Sequence, residues 1–472
     1  MRTFLLLALF SPLLILGQQE LYNNKALSAF DFYLRETGQQ NNPYQLHFFW
    51  PDSSSFPNCK NWGTDGFGVI TNQQSILVFG YTDQGVDPRI VTQVDDPRLF
   101  TYESILPGFR DVLHLPEPAV AWLQWLSELG YDEVGDTYYE LARENERPSQ
   151  HSITTFLTNT FLQWLNGEGT SKPWFVHLSF LRPHPPFVAA GEWAKAYDPA
   201  ECADSIGVPE NRHWLHDVLL EHEATKAPQT RSEMQQVKAQ YYGNISHVDE
   251  QLGRIFDELK RRGEWENTVV VIASDHGEQL GDQGLLNKAG FFESSYHIGC
   301  IVRVPQFNEA HGNVVNEFTE NIDIFPTLCE VMGEAIPIQC DGMSLRSFLN
   351  NETPVRWRDA ATYEWDWRDI LIGIHPEHDA YKWPYDRRLE ESHLTVRRSK
   401  EYAYVHFGDG TWLCFALGID PTWHTTTNDP EIVLREAQAM LTWRANNAER
   451  TLTGMLLRDG GIGRLPAGFS SE

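Results

Sequence analysis

The sequence is poor in basic residues and has few cysteines, and both shortages exclude classes of function. Its 472 residues include 37 Lys and Arg against 65 Asp and Glu, which gives a formal net charge of -28. A chain this acidic does not hold nucleic acid by general charge attraction, so we expect no nucleic-acid partner. An anionic substrate would also be repelled at long range, and its site would therefore need local positive charge or a metal ion.

The six cysteines are scattered, and none forms a Cys-x-x-Cys pair, which excludes a zinc ribbon and a thioredoxin-like motif. The one long apolar stretch, residues 4–16, follows Arg2 and precedes Gly17, a pattern typical of a secretory signal peptide. We interpret residues 1–17 in this way, which predicts a secreted or lumenal protein; the alternative is a buried helix start in a cytoplasmic protein. We expect no transmembrane segment, because this run is short for a bilayer and no other stretch reaches that length.

Residues 18–79 carry little pattern, although Ser75–Phe79 resembles a strand. Beyond them, apolar periodicity predicts helices at 119–129, 153–165 and 232–262 and strands at 174–180 and 268–273. In the longest helix, the apolar residues, Ile245 and Val248 among them, are predicted to mark the buried side. The alternation of helices and strands indicates an α/β domain with a largely parallel sheet.

The composition changes after residue 350. Residues 401–407 alternate like a strand, 430–450 are helical in pattern, and 451–472 are rich in glycine. We interpret 351–472 as a small α+β subdomain with a tail. One hypothesis for the tail is that it packs on a neighbouring subunit of a homo-oligomer.

Ligands of parallel α/β sheets gather outside the carboxyl ends of the strands. Asp275 and His276 directly follow the second predicted strand and offer oxygen and nitrogen ligands for a divalent metal. Gly277 lets the backbone turn close to a ligand, and Lys288 could return to hold an anionic oxygen. The alternative is an ordinary capping turn.

The strand at 174–180 is followed by a loop in which three prolines surround His184. Such a loop is stiff and fixes the direction of the imidazole, which can then donate a proton to a leaving group or bind an anion. The alternative is a rigid structural loop in which His184 caps a backbone carbonyl.

The block Ser274–Asp282, followed by Leu285–Lys288, resembles the C-terminal metal- and anion-binding segment of sulfatases, especially of the phosphonate monoester hydrolase branch. Further segments similar to that branch occur in family order: Gly80–Thr82, Asp87–Arg89, Arg182–Phe187, Asp323–Leu328, Cys340–Leu345, Trp443–Arg444 and Glu449–Thr453. The resemblance extends from about residue 80 to about residue 453.

The resemblance implies an alkaline phosphatase-like α/β/α sandwich with a large, mainly parallel sheet, whose catalytic domain spans residues 80–350. It implies metal-dependent hydrolysis of small anionic esters, namely sulfates and phosphonate or phosphate monoesters or diesters, with one divalent ion (Ca, Mn or Mg). Carried over by position, Asp275 and His276 are metal ligands, Lys288 clamps the anion, and His184 contacts the leaving group or the anion. Tyr81 is a candidate for the substrate pocket.

The family nucleophile is a cysteine in a Cys-x-Pro-x-Arg type motif, converted to formylglycine, and none of the six cysteines here stands in such a motif. In the family, the nucleophile and the first acidic ligands precede the segment that matches Gly80. We therefore expect the N-terminal part of the catalytic domain to be missing from this sequence and favour an active hydrolase. The alternatives are a catalytically inactive binding or assembly partner and, third, a phosphatase that uses Ser or Thr.

Overall fold

The computed structural model describes residues 3–9, 74–79, 109–115, 119–167, 173–336, 340–367, 391–447, 455–458 and 461–464. The strands are β1 (Thr3–Leu9), β2 (Gln74–Phe79), β3 (Phe109–Leu115), β4 (Trp174–Phe180), β5 (Thr268–Ser274), β6 (Cys300–Arg303), β7 (Ala360–Asp366), β8 (His393–Ser399), β9 (Ala403–Phe407), β10 (Trp412–Phe415), β11 (Met455–Arg458) and β12 (Gly461–Arg464). The helices are α1 (Val120–Glu128), α2 (Thr137–Leu141), α3 (Ile153–Gly167), α4 (Trp214–Glu221), α5 (Arg231–Arg261), α6 (Glu293–Tyr296), α7 (Ile324–Met332), α8 (Arg346–Leu349) and α9 (Pro430–Asn447).

Of the strands that the structure describes, six form the main sheet in the order β3-β2-β4-β1-β5-β6. β1 runs parallel to both of its neighbours, β4 and β5, whereas the pairings of β2 with β3 and β4 and of β5 with β6 are antiparallel. Among the described strands, the two central pairings of the predicted largely parallel sheet are parallel and the three outer pairings are antiparallel. Antiparallel strands at the sides of a parallel sheet are common in α/β folds.

Helices cover both faces of this sheet, as the predicted sandwich requires. On one face, Val176 and Leu178 of β4 pack in a buried cluster with residues of α1, α3 and α5. On the other face, Val269 and Val271 of β5 pack with Leu328 of α7. β4 is buried along its whole length. Strands buried on both faces are typical of parallel α/β sheets.

The N-terminal residues contribute two strands. The strand β1, Thr3–Leu9, includes the first part of the apolar run that predicts a signal peptide, and its Leu6 pairs with His177 of β4 and Val271 of β5. The strand expected at Ser75–Phe79 is confirmed as β2. The signal peptide and the secreted location stay predictions. None of the helices in the described residues is long and apolar enough to cross a membrane.

The C-terminal part forms a separate antiparallel sheet in the order β10-β9-β8-β7. One face of this sheet is covered by α9, whose Met440 packs against Tyr404 and Cys414. Val396 and Val405 belong to a second buried cluster, which includes residues of α4 and of the segment 285–292. This small sheet therefore supports the segment that carries Lys288.

Candidate active site

The strand order brings the two predicted site segments to one edge of the main sheet. β4 and β5 lie on either side of β1 and run in the same direction. Their carboxyl ends are therefore two strand spacings apart, roughly 10 Å. The loop with His184 follows β4, and Asp275 and His276 follow β5.

Asp275 and His276 present two metal-type donor atoms to the same space. Oδ2 of Asp275 and Nε2 of His276 are 3.5 Å apart, and the two side chains are only about one-fifth exposed, at 20% and 21%. The main-chain N–H of His276 donates to Oδ1 of Asp275 at 2.9 Å. Nδ1 of His276 donates to the carbonyl oxygen of Gly277 at 2.6 Å, which leaves the lone pair of the neutral ring on Nε2. Fixing one ring nitrogen in this way orients the other toward a metal.

The turn after Asp275 is pressed against α6. The N–H of Gly277 donates to the carbonyl oxygen of Ser295 at 2.7 Å, and the N–H of Glu278 donates to that of Ser294 at 2.9 Å. A Cβ atom at Gly277 would lie 2.1 Å from the Ser294 carbonyl oxygen. The close backbone approach that requires glycine here is to α6. The predicted approach to a ligand stays a prediction.

The segment with Lys288 is folded back onto this turn. The N–H of Asn287 donates to Oε1 of Glu278 at 2.6 Å, and the N–H of Gln279 donates to the carbonyl oxygen of Asn287 at 3.0 Å. Lys288 is half-buried. Burial lowers the pKa of Lys288 to about 8, and the carboxylates of Asp275 and Glu278 oppose that shift.

His184 faces the same group of charges from the loop after β4. The pKa of His184 is lowered to about 3, and burial is the largest cause. The positive charge of Lys288 and the neighbouring His276 side chain lower the pKa in the same direction. Nδ1 of His184 donates to the carbonyl oxygen of Pro185 at 2.8 Å. At neutral pH the imidazole is therefore uncharged, and its Nε2 atom carries the lone pair.

The structure thus brings together four of the five predicted site residues, namely Asp275, His276, Lys288 and His184. The fifth, Tyr81, lies outside the described residues.

Sequence reasoning missed two further groups. Burial raises the pKa of Glu278 to about 7, although the N–H groups of Leu280 and Asn287 oppose this. Burial also raises the pKa of Tyr241 of α5, and the nearby negative charges of Glu278 and Asp275 raise it further. Glu278 stands inside the motif and could have been found there, whereas Tyr241 looks in the sequence like any residue of a helix core.

A cleft adjoins one of the two candidate metal ligands, Asp275. Asp275 opens onto a cleft that is also lined by Glu293 and Tyr296 of α6 and by Arg398 of β8. Nη2 of Arg398 donates to both carboxylate oxygens of Glu293, at 3.0 and 3.1 Å. The cleft therefore extends from the end of the main sheet to the small sheet.

Two family models match the chain. The sulfatase model matches residues 117–334, and the model of the C-terminal part of N-sulphoglucosamine sulphohydrolase matches residues 281–432. Asp275, His276 and His184 lie in the first of these segments, and Lys288 lies in both.

Individual relatives extend the similarity over most of the chain. The chain is 32% identical to the multifunctional alkaline phosphatase superfamily protein PehA of Trinickia caryophylli, over 80% of this chain and 78% of PehA. It is 29% identical to the choline-sulfatase of Rhizobium meliloti, over 66% of this chain and 62% of that enzyme. The crystal structure of phosphonate monoester hydrolase from Agrobacterium radiobacter superimposes with a TM-score of 0.67 at 32% identity and covers 82% of this chain and 81% of that one.

Proposed function

This chain belongs to the sulfatase family of the alkaline phosphatase superfamily, and from that premise we propose that it is a metal-dependent hydrolase of sulfate or phosphonate esters. The observation that carries the proposal is the meeting of Asp275, His276, Lys288 and His184 at one edge of the sheet. Two of these side chains supply metal-type donors and one supplies a positive charge. Their combination suits an anionic ester better than a neutral one.

Asp275 and His276 would hold the divalent ion. Their donor atoms are 3.5 Å apart, which is the spacing of two ligands on one ion with bonds of about 2.1–2.3 Å. Among the described residues there is no group of three or more His, Cys, Asp or Glu side chains that could hold a metal. We therefore propose that the remaining positions are filled by substrate, by water or by residues outside the described ranges. A bound divalent ion would polarise the sulfuryl or phosphonyl oxygen as a Lewis acid.

Lys288 would bind a non-bridging oxygen of the ester. Its ammonium group lies among the carboxylates of Asp275 and Glu278, so it is held close to the proposed metal position. In a site with little water, a fixed positive charge stabilises the negative charge that develops in the transition state. The net charge of -28 makes such a local group necessary for an anionic substrate.

His184 would protonate the leaving oxygen. Its Nδ1 hydrogen is already donated to Pro185, so the transferred proton is one that Nε2 takes up from solvent when the negative charge of the bound ester raises the pKa of the ring. As an incoming oxygen, supplied in the net reaction by water, bonds to sulfur or phosphorus, the bond to the leaving oxygen breaks. The Nε2 proton passes to the leaving oxygen, and the ring returns to its neutral form. We assign the nucleophile to none of the described residues.

Hydrolysis of 4-nitrophenyl sulfate and of 4-nitrophenyl phenylphosphonate tests the proposal. The purified full chain is assayed with Mn²⁺, Ca²⁺ or Mg²⁺ added and with EDTA. We expect release of nitrophenol that EDTA abolishes and one of the metals restores. Absence of turnover with every metal would refute the hydrolase proposal, and retained metal binding in that case would favour the inactive binding partner.

A further inference from the structure

A buried arginine lies directly beneath the loop that carries His184. Arg182 is 1% exposed. One nitrogen of its guanidinium, Nη1, donates to the carbonyl oxygens of His184 and Pro186 at 3.0 and 2.6 Å. Nη2 donates to the carbonyl oxygen of Leu141, at the end of α2, at 2.9 Å. The arginine therefore ties the backbone on both sides of the Pro185 carbonyl, to which the His184 ring donates, to the body of the domain.

The direction of this guanidinium is set by one carboxylate, that of Glu144. Both Nε and Nη2 of Arg182 donate to Oε2 of Glu144, and both side chains are 1% exposed. Oε1 of Glu144 accepts from the N–H of Ile153, the first residue of α3, at 3.0 Å. Since both carboxylate oxygens are in use, Glu144 is itself held in one position.

These contacts form a continuous support from α3 to the imidazole. The first N–H of α3 donates to Glu144, and Glu144 accepts from and orients the guanidinium of Arg182. The guanidinium in turn donates to the carbonyl oxygens of His184 and Pro186. The ring of His184 is oriented by its own bond to the Pro185 carbonyl, which lies between those two. A buried ion pair stabilises a fold little in net terms, so the main consequence of this pair is the loop geometry that it imposes. Only the planar fork of arginine offers enough donors for these five bonds.

We propose that Glu144, acting through Arg182, is a positioning residue that aims His184 at the leaving oxygen. The inference rests on the proposed hydrolase function and deepens it, because it adds a residue 40 positions before the imidazole that touches neither metal nor ester. Misplacing a catalytic group by about 1 Å can cost up to about a hundredfold in rate.

The chain offers a matched control within the same segment. Glu140 and Arg147 form a second buried ion pair, with side chains 1% and 6% exposed. Arg147 donates to the carboxylate and to the main-chain carbonyl of Glu140, not to the loop carbonyls of His184 and Pro186. Glu140→Gln therefore perturbs a buried pair of the same type whose hydrogen bonds do not run to the His184 loop.

The test compares Glu144→Gln with Glu140→Gln on a series of aryl phenylphosphonates, from the nitrophenyl ester to the unsubstituted phenyl ester. We expect Glu144→Gln to lower kcat about tenfold or more for the phenyl ester and little for the nitrophenyl ester, because a poor leaving group depends most on the proton from His184. Glu140→Gln is expected to change all esters by the same small factor. In a His184→Asn background, Glu144→Gln should have no further effect on kcat.

A loss that is equal for every leaving group, or that persists undiminished in the His184→Asn background, would overturn the proposal. If Glu144→Gln does not fold, Arg182→Lys serves in its place, since it keeps the charge but lacks the fork that reaches both loop carbonyls. If the unaltered chain hydrolyses no ester, the proposed function fails, and positioning is then tested by NMR of ¹³C-labelled histidine. The His184 signal, identified by its loss in His184→Asn, should shift in Glu144→Gln and not in Glu140→Gln; no shift in either would refute positioning.

Discussion

Replacing Asp275 by Asn tests whether Asp275 is a ligand of the proposed metal site. Asn keeps one oxygen donor of nearly the same shape but removes the negative charge. Oδ2 of Asp275 and Nε2 of His276 are 3.5 Å apart. For donor–metal bonds of about 2.1–2.3 Å this separation corresponds to a ligand–metal–ligand angle of roughly 100–115°. Both side chains can therefore bind one ion without moving, and the substitution changes charge rather than geometry.

The expected effect is a large loss of metal affinity. Even residues that only orient a metal ligand change affinity by about 10–100-fold when substituted. Loss of a charged direct ligand should lie at or above the upper end of that range, so we expect about 100-fold weaker Mn²⁺ binding, or about 2.7 kcal/mol. Catalysis at a fixed, subsaturating Mn²⁺ concentration should fall by a similar factor.

Isothermal titration calorimetry with Mn²⁺ measures the affinity, and Asp282→Asn is the matched control. Asp282 lies in the same loop, but its Oδ1 accepts from the N–H of Ile206 at 2.8 Å and its Oδ2 from the hydroxyl of Ser294 at 2.7 Å. Its carboxylate is therefore engaged in structural bonds. Asp282→Asn should lower stability and leave the Mn²⁺ affinity within about threefold of the parent, since both of its carboxylate oxygens already accept hydrogen bonds within the protein.

An Asp275→Asn chain that binds Mn²⁺ as tightly as the parent would refute the assignment of Asp275 as a ligand. A similar loss of Mn²⁺ affinity in both variants would show that the effect comes from general electrostatics or misfolding. The assignment of Asp275 and His276 as two ligands of one ion would then fail.

Two further predictions concern the same site, and a third concerns Asp409, which lies between β9 and β10 of the small sheet. Lys288→Met should reduce kcat/KM for sulfate and phosphonate esters by about 100-fold or more, since a fixed charge near the reacting oxygens contributes roughly 3–4 kcal/mol; a loss under fivefold in a steady-state assay would contradict its role. Gly277→Ala should destabilise the fold by about 2–3 kcal/mol, because its Cβ would lie 2.1 Å from the Ser294 carbonyl oxygen; chemical denaturation measures this, and an unchanged midpoint would argue against the close approach. Burial raises the pKa of Asp409, but hydrogen bonds from Thr411 and other nearby side chains outweigh burial and hold the pKa below its usual value. This carboxylate therefore stabilises the fold above about pH 4, and the contribution is lost as the pH falls further. Asp409→Asn should be less stable at pH 7 and lose less stability between about pH 4 and pH 2, as melting temperatures across that range would show.

Local pattern was sufficient where an element's own side chains decide its conformation. The strand at 174–180 was predicted with its observed bounds, and α3 and α5 were predicted to within two residues of theirs. The placement of Asp275 and His276 after an apolar strand was also visible, because a buried strand must end in a loop at the sheet edge. These features depend on residues close together in the chain.

Periodicity was less reliable for the side of a helix that is buried. Ile245 was predicted on the buried side of α5, yet it is 43% exposed. His247, two residues later, is 1% exposed; its ring stacks on Trp193, and its Nε2 lies 3.1 Å from the hydroxyl oxygen of Thr155. Polar side chains can occupy a core when partners from distant segments meet their hydrogen-bonding needs, and those partners are not visible in the helix sequence.

The sequence by itself determined which residue types follow each strand and which segments resemble a sulfatase. Only the tertiary structure decided that β1 lies between β4 and β5, that the flanking strands run antiparallel, and that Lys288 is held over Glu278 by a segment packed on the small sheet. The physical reason is that an apolar run carries no information about its direction or its neighbours. Strand order and the meeting of distant side chains are set by the packing of the whole chain.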